Sequence, residues 1–218
     1  MMKSPGPGAL LLLSGLCLAC GCDRRGPSEA LFEALSPEAT GISFVNELPE
    51  QPGINIIDYL YYYNGGGVAA GDVDGNGLPD LYFTSNLGRD RLYLNRGDYR
   101  FEDVTERAGV GGAEGWTSGV TMADVNGDGH LDIYVSGVNY LSMRGRNVLY
   151  INDGDATFTD RTREYGLEHV GYSTQALFFD YDADGDLDMY LLNQSTHAER
   201  AKTQPLRRVP HPTAGDRL

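Results

Sequence analysis

The chain has 218 residues, of which 41% are hydrophobic and 22% charged, and 17 basic against 31 acidic side chains leave a net charge of −14. That composition supports a packed core in one or two domains and excludes general disorder. The acidic balance excludes a nucleic-acid groove and a basic face for anionic lipid, and leaves carboxylates available for cations. Glycine is abundant at 29 residues, and with 10 prolines and 14 tyrosines it points to turns and strands rather than long helices.

Lys3 is the only charge before Asp23, and Gly8 to Ala19 is an uninterrupted run of apolar and small residues. The run is too short to span a bilayer and suits the core of a signal peptide. It ends in Leu18-Ala19-Cys20-Gly21-Cys22, which resembles a bacterial lipobox. The resemblance implies a lipoprotein signal peptide over residues 1–21 and lipid on Cys22, with Cys20 the alternative acceptor. It also implies export to the cell envelope or beyond, with membrane contact only through the N-terminal lipid. Every cysteine lies at 17, 20 or 22, so no disulfide framework forms. Residues 22–63 read as a tether and lead-in: a polar stretch over 22–27, a short helix from Pro27 to Leu35 capped by Ser28, and one or two strands within 42–63.

An internal repeat dominates the rest. Asp72-Val-Asp74-Gly-Asn76-Gly-Leu78-Pro-Asp80 precedes Leu-Tyr-Phe-Thr; Asp124-Val-Asn126-Gly-Asp128-Gly-His130-Leu-Asp132 precedes Ile-Tyr-Val-Ser; Asp180-Tyr-Asp182-Ala-Asp184-Gly-Asp186-Leu-Asp188 precedes Met-Tyr-Leu-Leu. Oxygen-bearing side chains recur at loop positions 1, 3, 5 and 9, and glycines permit the tight curl. Alternate oxygens on such a loop suit Ca²⁺, which takes six to eight oxygen ligands in a flexible shell. A backbone carbonyl at position 7, from Leu78, His130 and Asp186, would complete each set. Magnesium prefers a smaller rigid octahedron, and zinc lacks thiolates or paired histidines here. An EF-hand is excluded, because position 12 is Phe83, Val135 or Leu191 rather than glutamate and the flanks are β-rich.

The repeat extends beyond the loops. Leu92-Tyr93-Leu94-Asn95-Arg96-Gly97 runs to Phe101-Glu-Asp103-Val-Thr105, and Leu149-Tyr150-Ile151-Asn152-Asp153-Gly154 runs to Phe158-Thr-Asp160-Arg-Thr162. Each unit reads as strand, acidic loop, strand, linker, strand, glycine hairpin, strand, which is the content of a propeller blade. These units resemble FG-GAP/VCBS repeats, the calcium-loop blades also found in the integrin α-subunit propeller. Thr40-Gly41-Ile-Ser-Phe44-Val-Asn46 and Tyr61-Tyr-Tyr63-Asn64-Gly-Gly-Gly67 resemble the start of large secreted bacterial VCBS-repeat proteins that often end in an ASPIC/UnbV domain. The resemblance implies an all-β fold, a partial β-propeller of four-stranded antiparallel blades over residues 64–195. About two and a half blades are visible where a ring needs six or seven. Residues 196–218 are expected to be a loop and the start of a truncated next blade, since Ala214 to Leu218 matches the approach to a Leu-Tyr-x-Asn strand.

Other features carry less. Arg96-Gly97-Asp98 spells an adhesion tripeptide, but it falls where the hairpin needs glycine. Gly65-Gly66-Gly67 lacks the Gly-Lys-Ser/Thr of a phosphate loop. The tyrosines at 59, 61, 62 and 63 are candidates for stacking on sugar rings or for packing between blades, and Trp116 and Tyr172 share one repeat position. The four histidines show no shared spacing and no serine lies in a nucleophile elbow, so no catalytic set emerges. The reading is a non-enzymatic, calcium-rigidified binding, adhesion or scaffold module for an extracellular protein or glycan. The alternative is part of a propeller enzyme or accessory subunit acting on extracellular polysaccharide.

Overall fold

The computed structural model describes residues 32–111 and 115–194. The expected signal peptide over residues 1–21 and the expected lipid site Cys22 lie outside the described residues, as do residues 196–218. The described part is nearly all β. Four strands, β1 (Val68–Gly71), β2 (Asp80–Phe83), β3 (Arg91–Asn95) and β4 (Phe101–Asp103), form one antiparallel sheet in sequential order. A second sheet repeats the pattern with β5 (Trp116–Ala123), β6 (Asp132–Tyr140), β8 (Val148–Asn152) and β9 (Phe158–Asp160). A short added strand, β7 (Met143–Arg144), folds back on β6. The third sheet pairs β10 (Ser173–Phe179) with β11 (Asp188–Asn193). These are stacked propeller-type blades of antiparallel strands, and among the described residues no sheet closes into a barrel.

Two short helices accompany the sheets, α1 (Pro37–Thr40) and α2 (Thr105–Ala108). Of the expected helix over Pro27–Leu35, residues 27–31 with Ser28 lie outside the described residues and residues 32–35 are not helical; a short helix starts instead at Pro37, capped by Ser36. Proline suits that first helical position through its fixed φ and missing N–H. The expected strands within 42–63 are also corrected. That stretch holds only the isolated bridge between Gln51 and Ile54, followed by turns. Residues 41–48 carry no strand, yet alternate residues are half-buried and contact the first sheet and the segment after β2. Phe44 stacks on Phe83 at 5.0 Å and Asn46 hydrogen-bonds Asn86 at 2.7 Å.

Alternation explains how the sheets stack. Ile133, Val135, Val148 and Tyr150 of the second sheet share a core with Tyr82, Leu92 and Leu94 of the first. The intervening residues Tyr134, Leu149 and Ile151 point the other way and pack on Ala176, Phe178, Met189 and Leu191 of the third. The second sheet is therefore buried on both faces, which is why β6 and β8 read as nearly continuous apolar runs. A third cluster joins Ile54, Tyr59 and Tyr62 of the lead-in to Trp116, Val138 and Met143. Tyr59 meets Trp116 edge-on at 5.6 Å, so these tyrosines pack in the interior. Tyr63 stays 55% exposed.

The inner strands approach very closely. A Cβ on Gly119 would lie 2.1 Å from the backbone oxygen of Thr174, so only glycine fits there. The contact is reinforced by Ser118 Oγ donating to Ser173 O at 2.7 Å and Thr121 Oγ1 donating to Ala176 O at 2.5 Å.

The Phe-x-Asp-x-Thr repeats fasten the outer edge. Asp103 accepts from the N–H and hydroxyl of Thr105, and the same hydroxyl oxygen accepts from Leu92 N at 3.0 Å. Asp160, Thr162 and Leu149 reproduce the arrangement, with the last bond at 2.8 Å.

Candidate metal centres

Each acidic loop links the first two strands of its sheet and is closed by its own first carboxylate. In the first loop Asp72 accepts from the backbone N–H of Asn76 at 3.0 Å and of Gly77 at 2.8 Å. In the second, Asp124 accepts from Asp128 N at 3.1 Å and Gly129 N at 2.8 Å. In the third, Asp180 accepts from Asp184 N and Gly185 N, both at 3.2 Å. The curl needs left-handed backbone at positions 4 and 6. Gly75, Gly77, Gly127, Gly129 and Gly185 supply it, and Ala183 adopts φ 61° in the one loop without glycine at position 4.

The position 9 aspartates anchor the loops to the sheets. Asp80 accepts from Val73 N at 2.8 Å and Asn95 N at 2.7 Å. Asp132 accepts from Val125 N and Asn152 N, both at 2.9 Å, and Asp188 accepts from Tyr181 N at 2.9 Å. Burial pushes the carboxyls of Asp80 and Asp132 up, against these hydrogen bonds, and the neighbouring loop carboxylates push in the same direction as burial.

The carboxylates converge. Oxygens of Asp72, Asp74 and Asp80 lie within 4.8 Å of one another, and so do those of Asp180, Asp182 and Asp188. The second loop carries Asn126 at position 3, between Asp124 and Asp132 in the pattern. A carboxylate has about four lone-pair positions, so one or two backbone donors leave room for a cation. The donor set is oxygen-only and acidic, which fits a hard divalent ion.

The position 5 side chains make a further turn within each loop. Asn76 Oδ1 accepts from Leu78 N at 2.7 Å, Asp128 Oδ1 from His130 N at 2.9 Å, and Asp184 Oδ1 from Asp186 N at 3.2 Å. That backbone hydrogen bond holds Asp128 below the usual carboxylate range. At the exposed Asp186, a hydrogen bond to Asp184 and the repulsion among the loop aspartates raise the carboxyl. The position 7 residues Leu78, His130 and Asp186 thus meet position 5 through their N–H groups.

Three contributions escaped the motif reading. Asn95 and Asn152 bind the loops from the third strand of each sheet: Asn95 Nδ2 donates to Pro79 O at 2.9 Å, and Asn152 Nδ2 donates across sheets to Val73 O at 2.8 Å. Their recurrence in Leu-Tyr-x-Asn was the available signal. Arg96 binds the loop carboxylate Asp74 and the neighbouring Glu102, so within the Arg-Gly-Asp triplet the arginine is engaged inside the blade.

The repeated geometry agrees with comparisons to known proteins. A family model described as FG-GAP-like repeat matches residues 72–135 and 138–191, together more than half of the chain. The chain belongs to the FG-GAP-like repeat family. All three acidic loops of these FG-GAP-like repeats fall within the matched spans. The chain is also similar to cartilage acidic protein 1. It is 26% identical to the human protein over 210 residues, covering 85% of this chain and 30% of the relative. Against the Xenopus tropicalis protein it is 26% identical over 167 residues, covering 75% and 24%. Against the mouse protein it is 27% identical over 180 residues, covering 77% and 25%. The chain thus spans 24–30% of the relatives' length.

Proposed function

We propose that this chain is a calcium-binding extracellular module whose stacked blades present a rigid surface to a protein or glycan partner, without catalysing a reaction. The observation that carries the reading is the recurrence of one loop geometry three times, with position 1 and position 9 carboxylates held by backbone donors in every copy and tight acidic triads in two. Membership of the FG-GAP-like repeat family supports an extracellular binding role. The full ligand set would be Asp72, Asp74, Asn76, Asp80 and the Leu78 carbonyl in the first loop, with the corresponding residues in the other two. Metal bound to the folded loop would stabilise the fold by linkage.

The test is thermal melting of chelator-treated protein. Millimolar Ca²⁺ should raise the melting temperature, and Mg²⁺ should raise it less. Identical melting in EDTA and in Ca²⁺ would refute the metal assignment. We propose further that lipid on Cys22 anchors the module at the cell envelope. Cys22→Ser should abolish lipid labelling and release the protein; unchanged labelling in that variant would move the acceptor to Cys20, and no labelling of the wild type would remove the anchor.

A further inference from the structure

The three loops differ in what surrounds them. In the first blade the hairpin residue after Asn95 is Arg96, whose Nη1 lies 3.2 Å from Asp74 Oδ2. The same guanidinium donates through Nε and Nη2 to Glu102 Oε2 at 2.9 and 2.6 Å. Glu102 therefore holds Arg96 in place against the loop. Asp74 is a member of the converging triad with Asp72 and Asp80. At the equivalent hairpin position of the second blade stands Asp153, which accepts from Thr159 Oγ1 at 3.0 Å. The first loop thus carries three carboxylates and a tethered cation. The second carries three carboxylates with another acid on the adjoining hairpin, and the third carries five aspartates.

Resting on the calcium reading above, we infer that Arg96 is a built-in counter-cation that competes with the metal for Asp74, so that the first loop is the last of the three to fill. A metal entering the first loop must displace the guanidinium from Asp74 or share that carboxylate with it, while no such exchange is required at the second loop. An exposed ion pair is a modest competitor, which sets the expected effect at about twofold to fivefold in affinity. The result is a graded response, with the first blade completing its metal set at higher Ca²⁺ than the others.

The test is Ca²⁺ titration of the full chain against a chromophoric chelator, resolving the stepwise constants, with stoichiometry from equilibrium dialysis. Arg96→Gln should tighten the weakest constant about twofold to fivefold and leave the stronger ones unchanged. Asp74→Asn should abolish that weakest constant, placing it at the first loop. Arg89→Gln removes the same charge from a side chain paired with Glu106 and should change nothing. The inference is overturned if Arg96→Gln leaves every constant unchanged, if it shifts a constant that survives Asp74→Asn, or if Arg89→Gln has the same effect. Absence of Ca²⁺ binding by the wild type would refute the calcium reading itself, and this inference with it.

Discussion

Asp90→Asn should remove a pH dependence from the fold without unfolding it. Asp90 sits just before β3 and is 1% exposed. Its Oδ1 accepts from Ser85 N at 2.8 Å and Thr117 Oγ1 at 2.6 Å, and its Oδ2 from Tyr82 Oη at 3.1 Å. The two hydroxyls each have a second acceptor, Ser85 O for Thr117 and Val110 O for Tyr82, and only one hydrogen apiece. The ionised carboxylate is therefore under-supplied with donors, and burial raises its pKa from 3.8 to about 6. Because the folded-state pKa is raised, the native state keeps a proton that the unfolded chain releases between those values. This contribution to stability is present below pH 3.8 and lost as pH rises through 6. At ~1.4 kcal/mol per pH unit the full loss is about 3 kcal/mol. The second blade shows that asparagine fits the site. Asn147 occupies the equivalent position, accepts from Gly137 N at 2.9 Å and donates to Ser173 Oγ at 3.0 Å. In the variant, the introduced amide would accept from Ser85 and Thr117 and donate to Tyr82 Oη, with the phenol hydrogen going to Val110 O. Urea unfolding of both proteins at fixed Ca²⁺ from pH 4 to 7 provides the assay, and titrations common to both cancel in the difference. The variant should gain about 2–2.5 kcal/mol relative to wild type across that range. Parallel stability curves, or a variant several kcal/mol less stable at pH 7, would refute the reasoning.

Gly119→Ala should destabilise the protein by about 2–3 kcal/mol in denaturant unfolding, because the new methyl meets backbone at 2.1 Å and the inner strands must separate; a cost below ~0.5 kcal/mol would show that the strands yield freely. Tyr190 is 61% exposed on the third sheet, whereas its equivalents Tyr82 and Tyr134 are 0% and 1% exposed between sheets. With Leu177 and Leu192 it leaves an open apolar face, so Tyr190→Ser combined with Leu192→Ser should reduce concentration-dependent light scattering. Equal scattering from the variant would mean that self-association uses another surface.

The acidic loops and the strands that follow them were legible in the sequence because their determinants are local. Asp72, Asn76 and Gly77 close the first loop within five residues, and the same spacing recurs in the other two. The tyrosine-rich lead-in was misread for the opposite reason. Its alternation is interrupted by turns at Pro52-Gly53 and at Asn55, whose Oδ1 accepts from Ile57 N and Asp58 N, and its packing rests on Trp116, Val138 and Met143, which receive Tyr59 and Tyr62. Likewise Asp90 and Asn147 look unrelated until both prove to pair a second strand with the next blade. Arg96 reads as part of a tripeptide until Asp74, distant in the chain, is found beside it. Short-range hydrogen bonds made each loop readable from its own residues. The stacking of blades decided which faces are buried, and the folding of the first blade on itself decided which carboxylate meets a guanidinium, since those contacts join residues that only the tertiary structure brings together.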